Sequence, residues 1–430
     1  ERIMLFKDIT YIDENFNAVE HAYVGTKNGV IDYISTEKTD WGYGEVYDGR
    51  GKVLIPGLVN NHTHAAMTLM RGYGEDLPLQ RWLTEKIFPF EAQWDENSIY
   101  WAGMLAMAEM MACGTTSFTD MYFFDKIAAK VVKESGMKSN FSNPPVGTDG
   151  TSLKKMDYFK DTYEEIQKYC RTKGRFVHEF GLHAEYSSCE SLVRETAAFA
   201  KENNLRIHAH MSETKLEHEE CKQRHGMTPA LYFEKCGLYE NPTNLAHCVW
   251  VEDEDIECLA RNHVTVTHCP SSNMKLGSGF APIRKMLDAG INVALGTDGA
   301  SSNNNLNMFE EMHLAAMIAR GSSGNAGEVS PKEIFKMATV NGAISQGRTD
   351  TGVIKKGNKA DLAVVDFNRP HLVPCFDVLA NLVFSAQGSD VVLTMVDGDV
   401  IYRDGKYKTI DINKVYDKIS YYLPKIIEKI

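Results

Sequence analysis

Residues 53–64 read Val53-Leu54-Ile55-Pro56-Gly57-Leu58-Val59-Asn60-Asn61-His62-Thr63-His64, an apolar run that ends in two histidines. A short apolar run of this kind is typical of a buried strand, in which residues i and i+2 point to the same face. His62 and His64 therefore place two imidazoles side by side at a strand end, where together they can bind one divalent metal ion. Such an ion would lower the pKa of a bound water toward neutrality, which favours hydrolytic chemistry.

Further candidate ligands follow other strand-like runs of the chain. They lie in His208-Ala209-His210-Met211-Ser212-Glu213, at His247, at His268 and in Gly296-Thr297-Asp298. A random distribution of the 14 histidines would not place so many of them at strand ends. His208 and His210 share one strand face, so both remain candidates. His210 is favoured because it is nearer the strand end, with His208 in the layer below or supporting a ligand.

Strand-like runs alternate with helix-like segments between residues 55 and 300. The eight runs cover residues 55–61, 116–121, 137–143, 177–183, 205–210, 243–249, 263–268 and 292–298. Apolar residues at helical spacing separate several of them, as in residues 98–113 and 191–203. This alternation predicts a parallel sheet, and eight such units predict an α/β fold with a (β/α)8 TIM-like barrel. Active sites of such barrels lie at the C-terminal strand ends, where the candidate ligands are found.

The two ends of the chain have a different pattern, with short alternating runs and turn residues. Asn28-Gly29 lies near the N-terminus, and Asp397-Gly398-Asp399 and Asp404-Gly405 lie near the C-terminus, each typical of a hairpin turn. We expect residues 1–55 and 356–430 to pair into a small β-sandwich domain. Residues 56–355 would then form the barrel.

Composition limits the kinds of partner that the protein can have. The 430-residue chain has a net charge of −12 and no long basic run, which argues against nucleic acid and anionic membranes as partners. No uncharged stretch approaches the ~20 residues that span a bilayer, and no signal peptide is visible. The nine cysteines include no CxxC pair and are expected to be reduced, as in a cytoplasmic protein.

The residue types at the strand ends suit a metal site with catalytic groups beside it. His62, His64, His210 and Asp298 offer three imidazoles and a carboxylate, a set that suits one Zn²⁺, with Fe²⁺ possible. Asp298 can also accept a proton from a bound water. Glu213 can carry a proton to a ring nitrogen or a leaving group. His247 can hydrogen-bond the attacking oxygen or the oxygen of a tetrahedral intermediate.

Two other metal sites are less consistent with this sequence. Binuclear barrel hydrolases need a bridging group, commonly a modified lysine, at the end of the fourth strand, and here His183 stands there. Zinc nucleobase deaminases have an HxE…PCxxC signature. His183-Ala184-Glu185 matches its first half, but the chain contains no PCxxC, which excludes that fold.

Taken together, these motifs resemble the amidohydrolase superfamily. The resemblance is strongest to the branch of 5-methylthioadenosine/S-adenosylhomocysteine deaminases, with chlorohydrolases and guanine deaminases as relatives. Besides residues 56–64, it rests on Met70-Arg71-Gly72, Gly114-Thr115-Thr116, His268-Cys269-Pro270-Ser271-Ser272-Asn273-Met274-Lys275-Leu276, Gly296-Thr297-Asp298-Gly299-Ala300-Ser301-Ser302-Asn303-Asn304 and Gly357-Asn358-Lys359-Ala360-Asp361-Leu362.

The resemblance implies the same four metal ligands, with Glu213 and His247 as the proton shuttle and the intermediate-stabilising residue. It also implies substrate contacts. Glu91 would accept hydrogen bonds from ribose hydroxyls, His183 would contact a purine ring, Trp82 would line the same pocket, and Ser302 would contact the substrate near its tail. By analogy, such barrels often form homo-oligomers.

One departure from the family pattern concerns the substrate's tail. In this branch two arginines between the third and fourth strands can hold the homocysteine carboxylate, and here Asn143 and Ser152 stand in their places. Neither side chain replaces the bidentate, charged grip of a guanidinium, although Lys154 or Lys155 could restore part of the charge. We therefore expect weak use of S-adenosylhomocysteine.

The function predicted from the sequence is hydrolytic deamination of an adenosine-type nucleoside: adenosine, 5′-deoxyadenosine or 5-methylthioadenosine. The alternative keeps the metal chemistry and changes the substrate to a free amino-heterocycle such as guanine, a pterin or a chlorinated ring. Glu91 distinguishes the two, because a free base has no ribose diol. A non-catalytic descendant of the fold is disfavoured, because every expected metal ligand is present.

Overall fold

The computed structural model describes residues 3–39, 42–153, 156, 168 and 174–430. Its strands in chain order are β1 Ile3–Ile12, β2 Ala18–Lys27, β3 Val30–Ser35, β4 Glu45–Asp48, β5 Lys52–Pro56, β6 Leu58–Thr63, β7 Thr115–Met121, β8 Lys138–Ser142, β9 Phe176–His178, β10 Phe180–Gly181, β11 Ile207–Met211, β12 Thr243–His247, β13 Thr265–His268, β14 Asn292–Leu295, β15 Leu362–Asp366, β16 Val391–Val396, β17 Asp399–Arg403 and β18 Lys406–Tyr407.

Helices lie between most of the strands from β6 to β15 and also follow β15 and β18. The α-helices are Leu79–Trp82, Phe88–Glu91, Glu96–Ala112, Asp125–Ser135, Glu190–Glu202, Lys215–His225, Pro229–Lys235, Asp253–Arg261, Pro270–Lys275, Ile283–Asp288, Ala300–Asn303, Met308–Ser323, Pro331–Met337, Val340–Gln346, Val378–Phe384 and Ile412–Ile427. A π-helical turn at Leu83–Ile87 joins the first two, and single 3₁₀ turns are found at Ala65–Met70, Glu185–Ser187, Leu238–Glu240, Pro370–Leu372 and Gly388–Asp390.

Two parallel sheets contain the strands of the middle of the chain. One has the order β6-β7-β8-β9 and the other the order β10-β11-β12-β13-β14. Neighbouring strands follow one another in sequence, and in the connections that the structure describes in full within each sheet, helices lie between them, as is typical of parallel strands. Nearly all residues of these strands are buried, as expected for parallel strands covered on both faces.

The two ends of the chain pair in a third, nine-stranded sheet of order β18-β17-β16-β15-β5-β1-β2-β3, with β4 also paired to β1. β5 connects the two ends, since it runs parallel to β1 and antiparallel to β15. The predicted pairing of the chain ends is therefore present. The terminal helix Ile412–Ile427, which the sequence analysis did not predict, packs against the helix Glu96–Ala112.

Two of the eight predicted strands are interrupted in the structure. The run 55–61 breaks at Gly57, so that β5 belongs to the mixed sheet and β6 to a parallel sheet. A Cβ at Gly57 would lie 2.1 Å from the Thr116 hydroxyl oxygen, a close approach that only glycine permits. The run 177–183 breaks at Glu179, and its halves β9 and β10 belong to different sheets. A hydrophobic pattern in the sequence does not reveal where a single residue interrupts a strand.

The described part of the chain contains eight of the nine cysteines. All eight cysteines in it are unpaired, and five of them are buried. None of the helices described is long and apolar enough to cross a bilayer.

Candidate active site

Four of the predicted ligands converge at the ends of strands from both parallel sheets. His62 lies in β6, His64 follows that strand, His210 lies in β11, and Asp298 comes three residues after β14. Asp298 Oδ1 lies 3.3 Å from His62 Nε2 and 3.2 Å from His64 Nε2, and His64 Nε2 lies 3.3 Å from His210 Nε2. The structure thus brings His210, and not His208, into the cluster with His62 and His64.

These separations suit a single small cation. Four ligands arranged tetrahedrally at 2.0–2.1 Å from a zinc ion are about 3.3 Å from one another. Asp298 Oδ1 lies 3.3 Å from the buried His62 Nε2 without forming a well-directed hydrogen bond, and no other residue that the structure describes bonds this nitrogen. An unpaired buried nitrogen is costly unless a ligand satisfies it. The donor set and the unpaired nitrogen therefore fit a divalent metal ion.

The other ring nitrogen of each histidine sets the orientation of its ring. His64 Nδ1 donates to the Met121 carbonyl and His210 Nδ1 to the His183 carbonyl, both at 2.6 Å. These bonds direct each Nε2 into the cluster, and in the neutral form of each ring they leave Nε2 unprotonated and free to bind a metal. His62 Nδ1 lies 2.9 Å from His208 Nε2, so His208 supports a ligand from below, one of the two positions expected for it.

The electrostatics of the cluster follow from burial and from the one carboxylate. Burial lowers the pKa of His62 to about 4, which keeps this ring neutral. Burial opposes a charge on His64 as well, but Asp298 raises the pKa of His64 to about 9. Burial also favours the neutral acid of Asp298, but the adjacent His62 and His64 hold its pKa well below the ordinary value. Asp298 is therefore anionic and could serve as a ligand, and a metal ion bound there would compete with a proton on His64.

Glu213 and His247 complete a second group of side chains around Asp298. His247 Nε2 lies 3.7 Å from both Glu213 Oε2 and Asp298 Oδ2, and its Nδ1 lies 2.8 Å from Asn273 Oδ1. Burial raises the pKa of Glu213, although His247 partly opposes the shift. A raised pKa favours the protonated form of this carboxyl, which is the form that a proton donor needs.

The backbone at these strand ends is strained. Among residues with positive φ, four non-glycine residues lie here: Ser212 (48°), His247 (76°), Cys248 (49°) and Asp298 (61°). Such conformations cost about 1–3 kcal/mol each and are concentrated at functional sites.

The second carboxylate oxygen of Asp298, Oδ2, accepts hydrogen bonds from Ser272 Oγ at 2.7 Å and from Ser302 Oγ at 3.1 Å.

A cavity of ≈ 400 Å³ opens above the cluster and contains all four predicted substrate contacts. Glu91, His183, Trp82 and Ser302 line it together with His64, His210, Glu213, His247 and Asp298. Glu91 Oε1 accepts a hydrogen bond from Tyr122 Oη at 2.7 Å, and Tyr122 in turn accepts one from Trp94 Nε1 at 3.1 Å. Burial, only partly offset by this hydrogen bond, raises the pKa of Glu91 to about 7.

The remainder of the cavity is mostly apolar. Of the described residues that line it, none is lysine or arginine. Asn143 Nδ2 donates instead to Asp125 Oδ1 at 2.7 Å, and Ser152 Oγ lies 3.1 Å from each Glu195 carboxylate oxygen. Lys154 and Lys155, which could have restored charge, lie outside the described residues.

The sequence analysis missed several residues that shape the site, and it included one at the wrong position. Tyr122, Asn273 and Ser272 each bond a predicted functional group, and Asn273 and Ser272 belong to a motif already quoted. His268 lies at a strand end but lines a separate cavity. Its neighbour Thr267 bonds Asn244 and Asn61 inside the protein, so strand alternation turns His268 to the other face.

Parallel sheets that present a buried three-histidine, one-aspartate cluster at their strand ends define a class of metal-dependent hydrolases. A sequence profile of the Amidohydrolase family matches residues 53–401. The chain belongs to the amidohydrolase family.

Among characterised relatives, the chain is similar to a 5-methylthioadenosine/S-adenosylhomocysteine deaminase of Caldicellulosiruptor saccharolyticus, with 38% identity over 99% of this chain and 98% of the relative. A 5′-deoxyadenosine deaminase of Methanosarcina mazei is 39% identical over 97% of this chain and 96% of its own. A crystal structure of an adenosine deaminase from Xanthomonas campestris with bound zinc superposes with a TM-score of 0.93, at 28% identity over 99% and 98% of the two chains.

Proposed function

We propose that the protein is a hydrolytic deaminase of adenosine-type nucleosides that uses one Zn²⁺ ion. The observation that carries the proposal is the location of Glu91 in the same cavity as the His62, His64, His210 and Asp298 cluster. A half-buried carboxylate that lines the same cavity suits a ribose diol, and the relatives named as deaminases of adenosine derivatives match nearly the whole length of the chain.

The finer architecture belongs to the same proposal. The two parallel sheets would be the halves of one closed (β/α)8 barrel spanning residues 56–355. Asp298 N donates to His62 O at 2.9 Å beside β14 and β6. Across the other junction, Glu179 N donates to Phe141 O and Phe180 N to Arg206 O, at 2.7 and 2.8 Å.

The mixed sheet would form the second domain, residues 1–55 with 356–430, curled into a β-sandwich. Its two ends approach each other, since Ala360 N donates to Gly29 O and Gly398 N donates to Ala360 O. Apolar side chains from both halves of this sheet, including Val24, Ile31 and Leu393, also share one buried cluster.

His62, His64, His210 and Asp298 would hold the metal, which when bound supplies a water of lowered pKa at neutral pH. Asp298 Oδ2 would accept the proton that this water loses and return it to the departing amine. Glu213 would protonate the ring nitrogen next to the amino-bearing carbon, so that negative charge does not accumulate there. His247 donates from Nδ1 to Asn273 and so presents Nε2 to the attacking oxygen.

The rest of the site supports nucleosides with small or uncharged tails. Glu91 Oε2 remains available to ribose hydroxyls, while Tyr122 holds Oε1. Asn143 and Ser152 are engaged by the carboxylates of Asp125 and Glu195, which disfavours a homocysteine carboxylate nearby. Adenosine, 5′-deoxyadenosine and 5-methylthioadenosine are the substrates that this arrangement favours.

Ammonia release coupled to glutamate dehydrogenase tests the proposal across a panel of aminopurine nucleosides, free bases and pterins. We expect turnover of adenosine and its 5′-modified derivatives, loss of turnover on chelation, and recovery on addition of Zn²⁺. The control is Glu91→Gln, which should raise KM strongly for a nucleoside and little for a free base. Turnover of free bases alone would refute the proposal.

A further inference from the structure

The helix Lys215–His225 begins two residues after Glu213. Its N-cap is Thr214, whose Oγ1 accepts a hydrogen bond from Glu217 N at 3.2 Å. The Glu217 side chain turns back past the cap, and its Oε2 accepts a hydrogen bond from Glu213 N at 2.6 Å. The main chain of the proposed proton donor is thus held by a carboxyl group from the first turn of the following helix.

Glu217 is buried and lies outside the active-site cavity. It is 3% exposed, and it is not among the described residues that line the cavity. Burial and the nearby Glu213 raise the pKa of Glu217 to about 8, although the backbone N–H groups of Glu213 and Ser212 oppose the shift. Its other oxygen, Oε1, bonds no residue that the structure describes. A carboxyl group is costly to bury, and this one is used to hold the backbone of the loop that carries Glu213.

Ser212, at the start of the same loop, has hydrogen bonds of its own. Its Oγ lies 2.9 Å from His218 Nδ1, and its carbonyl accepts hydrogen bonds from Val249 N and Trp250 N, both at 3.0 Å. Val249 comes two residues after His247. Ser212 therefore joins the loop after β11 to the loop after β12 by bonds that do not involve the buried carboxyl group.

We propose that Glu217 is a positioning residue: by accepting the hydrogen bond from Glu213 N, it sets the place of the Glu213 carboxyl for proton transfer to the substrate. This inference rests on the proposed function, in which Glu213 protonates the ring nitrogen. Proton transfer depends steeply on geometry, and a displacement of about 1 Å can cost about 10²-fold in rate. Because Ser212 is held by other contacts, loss of the Glu217 carboxyl should move Glu213 and leave the metal cluster in place.

Replacing Glu217 by methionine removes the acceptor and keeps an unbranched side chain that can fill the same space. With adenosine and zinc-loaded protein, Glu217→Met should lower kcat about 10- to 100-fold with little change in KM. Its zinc content should equal that of the wild type. Glu217→Gln keeps an acceptor oxygen, and because the raised pKa of Glu217 already favours the uncharged carboxyl, this variant should keep most of the kcat. Glu219→Met, at an exposed position of the same helix, should retain the wild-type kcat.

A double-variant cycle separates positioning from a purely structural role. In the Glu213→Gln protein, which lacks the proton donor, Glu217→Met should lower kcat by a much smaller factor than in the wild type, because one residue acts through the other. A role in folding alone would lower kcat by the same factor in both backgrounds. Thermal unfolding checks each protein, and if Glu217→Met does not fold, Glu217→Asp takes its place, since its shorter side chain withdraws the acceptor.

Wild-type kcat in folded Glu217→Met would overturn the positioning role, as would an equal loss in Glu217→Gln or equal factors in the two backgrounds. Loss of zinc from Glu217→Met would also overturn it, because the change would then reach the metal ligands. A wild type that deaminates free bases alone refutes the proposed function, and the same cycle on such a base then still tests Glu217. A wild type that turns over no compound of the panel overturns both.

Discussion

Replacing His208 by phenylalanine should weaken metal binding without unfolding the protein. His208 is fully buried, and its Nε2 lies 2.9 Å from His62 Nδ1. A metal on His62 Nε2 requires the proton of that ring to sit on Nδ1, where His208 accepts it. Phenylalanine fills similar space but accepts no hydrogen bond.

The size of the loss in metal affinity depends on the difference between the two states, because only the metal-bound state needs the hydrogen bond from His62 to His208. Without metal, His62 in the variant can move its proton to Nε2, where Asp298 Oδ1 is 3.3 Å away. Metal binding forces the proton back to Nδ1, leaving a buried donor unsatisfied at a cost of about 1–3 kcal/mol. We therefore expect metal affinity to fall about 10- to 100-fold, as is usual when the partner of a metal-binding histidine is lost.

Competition with a chromophoric chelator of known zinc affinity measures this change, and thermal unfolding of the metal-free proteins checks folding. His208→Gln is the matched control, because its amide oxygen can replace the acceptor near the position of Nε2. It should keep most of the affinity. Equal zinc affinity in wild type and folded His208→Phe would show that His62 Nδ1 is not the donor, and would remove His62 from the ligand set.

Three further outcomes test the roles of individual residues. Glu213→Gln should retain metal and lower kcat by ~10²–10⁴, whereas His64→Ala should lose metal and activity together; equal metal loss in both would contradict the separate roles. Because the pKa of Glu91 is raised to about 7, its carboxylate is lost as the pH falls through 7. Nucleoside kcat/KM should then fall about tenfold for each further pH unit, an acidic limb that Glu91→Gln should abolish in a pH–rate profile.

The convergence of the four candidate ligands could be predicted from the sequence because each of them belongs to a local pattern. His62 and His64 are two residues apart at a strand end, and His210 and Asp298 follow comparable runs, so strand periodicity and parallel order place them together. The same rule also selected His268, whose side chain lies on the opposite face of its strand. Side chains alternate between the two faces, so the face of a strand-end residue depends on how many residues separate it from one that points to the interior. Thr267, one residue earlier, occupies the interior position.

The contacts that orient the reactive groups could not be predicted in this way. Trp94, Tyr122 and Glu91 form a hydrogen-bonded chain, yet they come from two segments whose approach depends on tertiary packing. The close approach of Gly57 to the distant Thr116 side chain likewise depends on tertiary packing. Local secondary-structure propensity predicts neither of these contacts, because the partner of each group lies elsewhere in the sequence.

The residues that could be predicted from the sequence and those that could not lie in different parts of the site. The cluster is formed by buried strand ends, where a shift of one residue would reverse every side chain and destroy the metal site. Other parts of the cavity are lined by side chains outside the strands, such as Phe88, Phe123 and Val146. Such positions can change without disturbing the strands. The metal ligands can therefore be retained in the family while residues around the cavity differ, as at Asn143, which stands where the resemblance implies an arginine and here donates to Asp125.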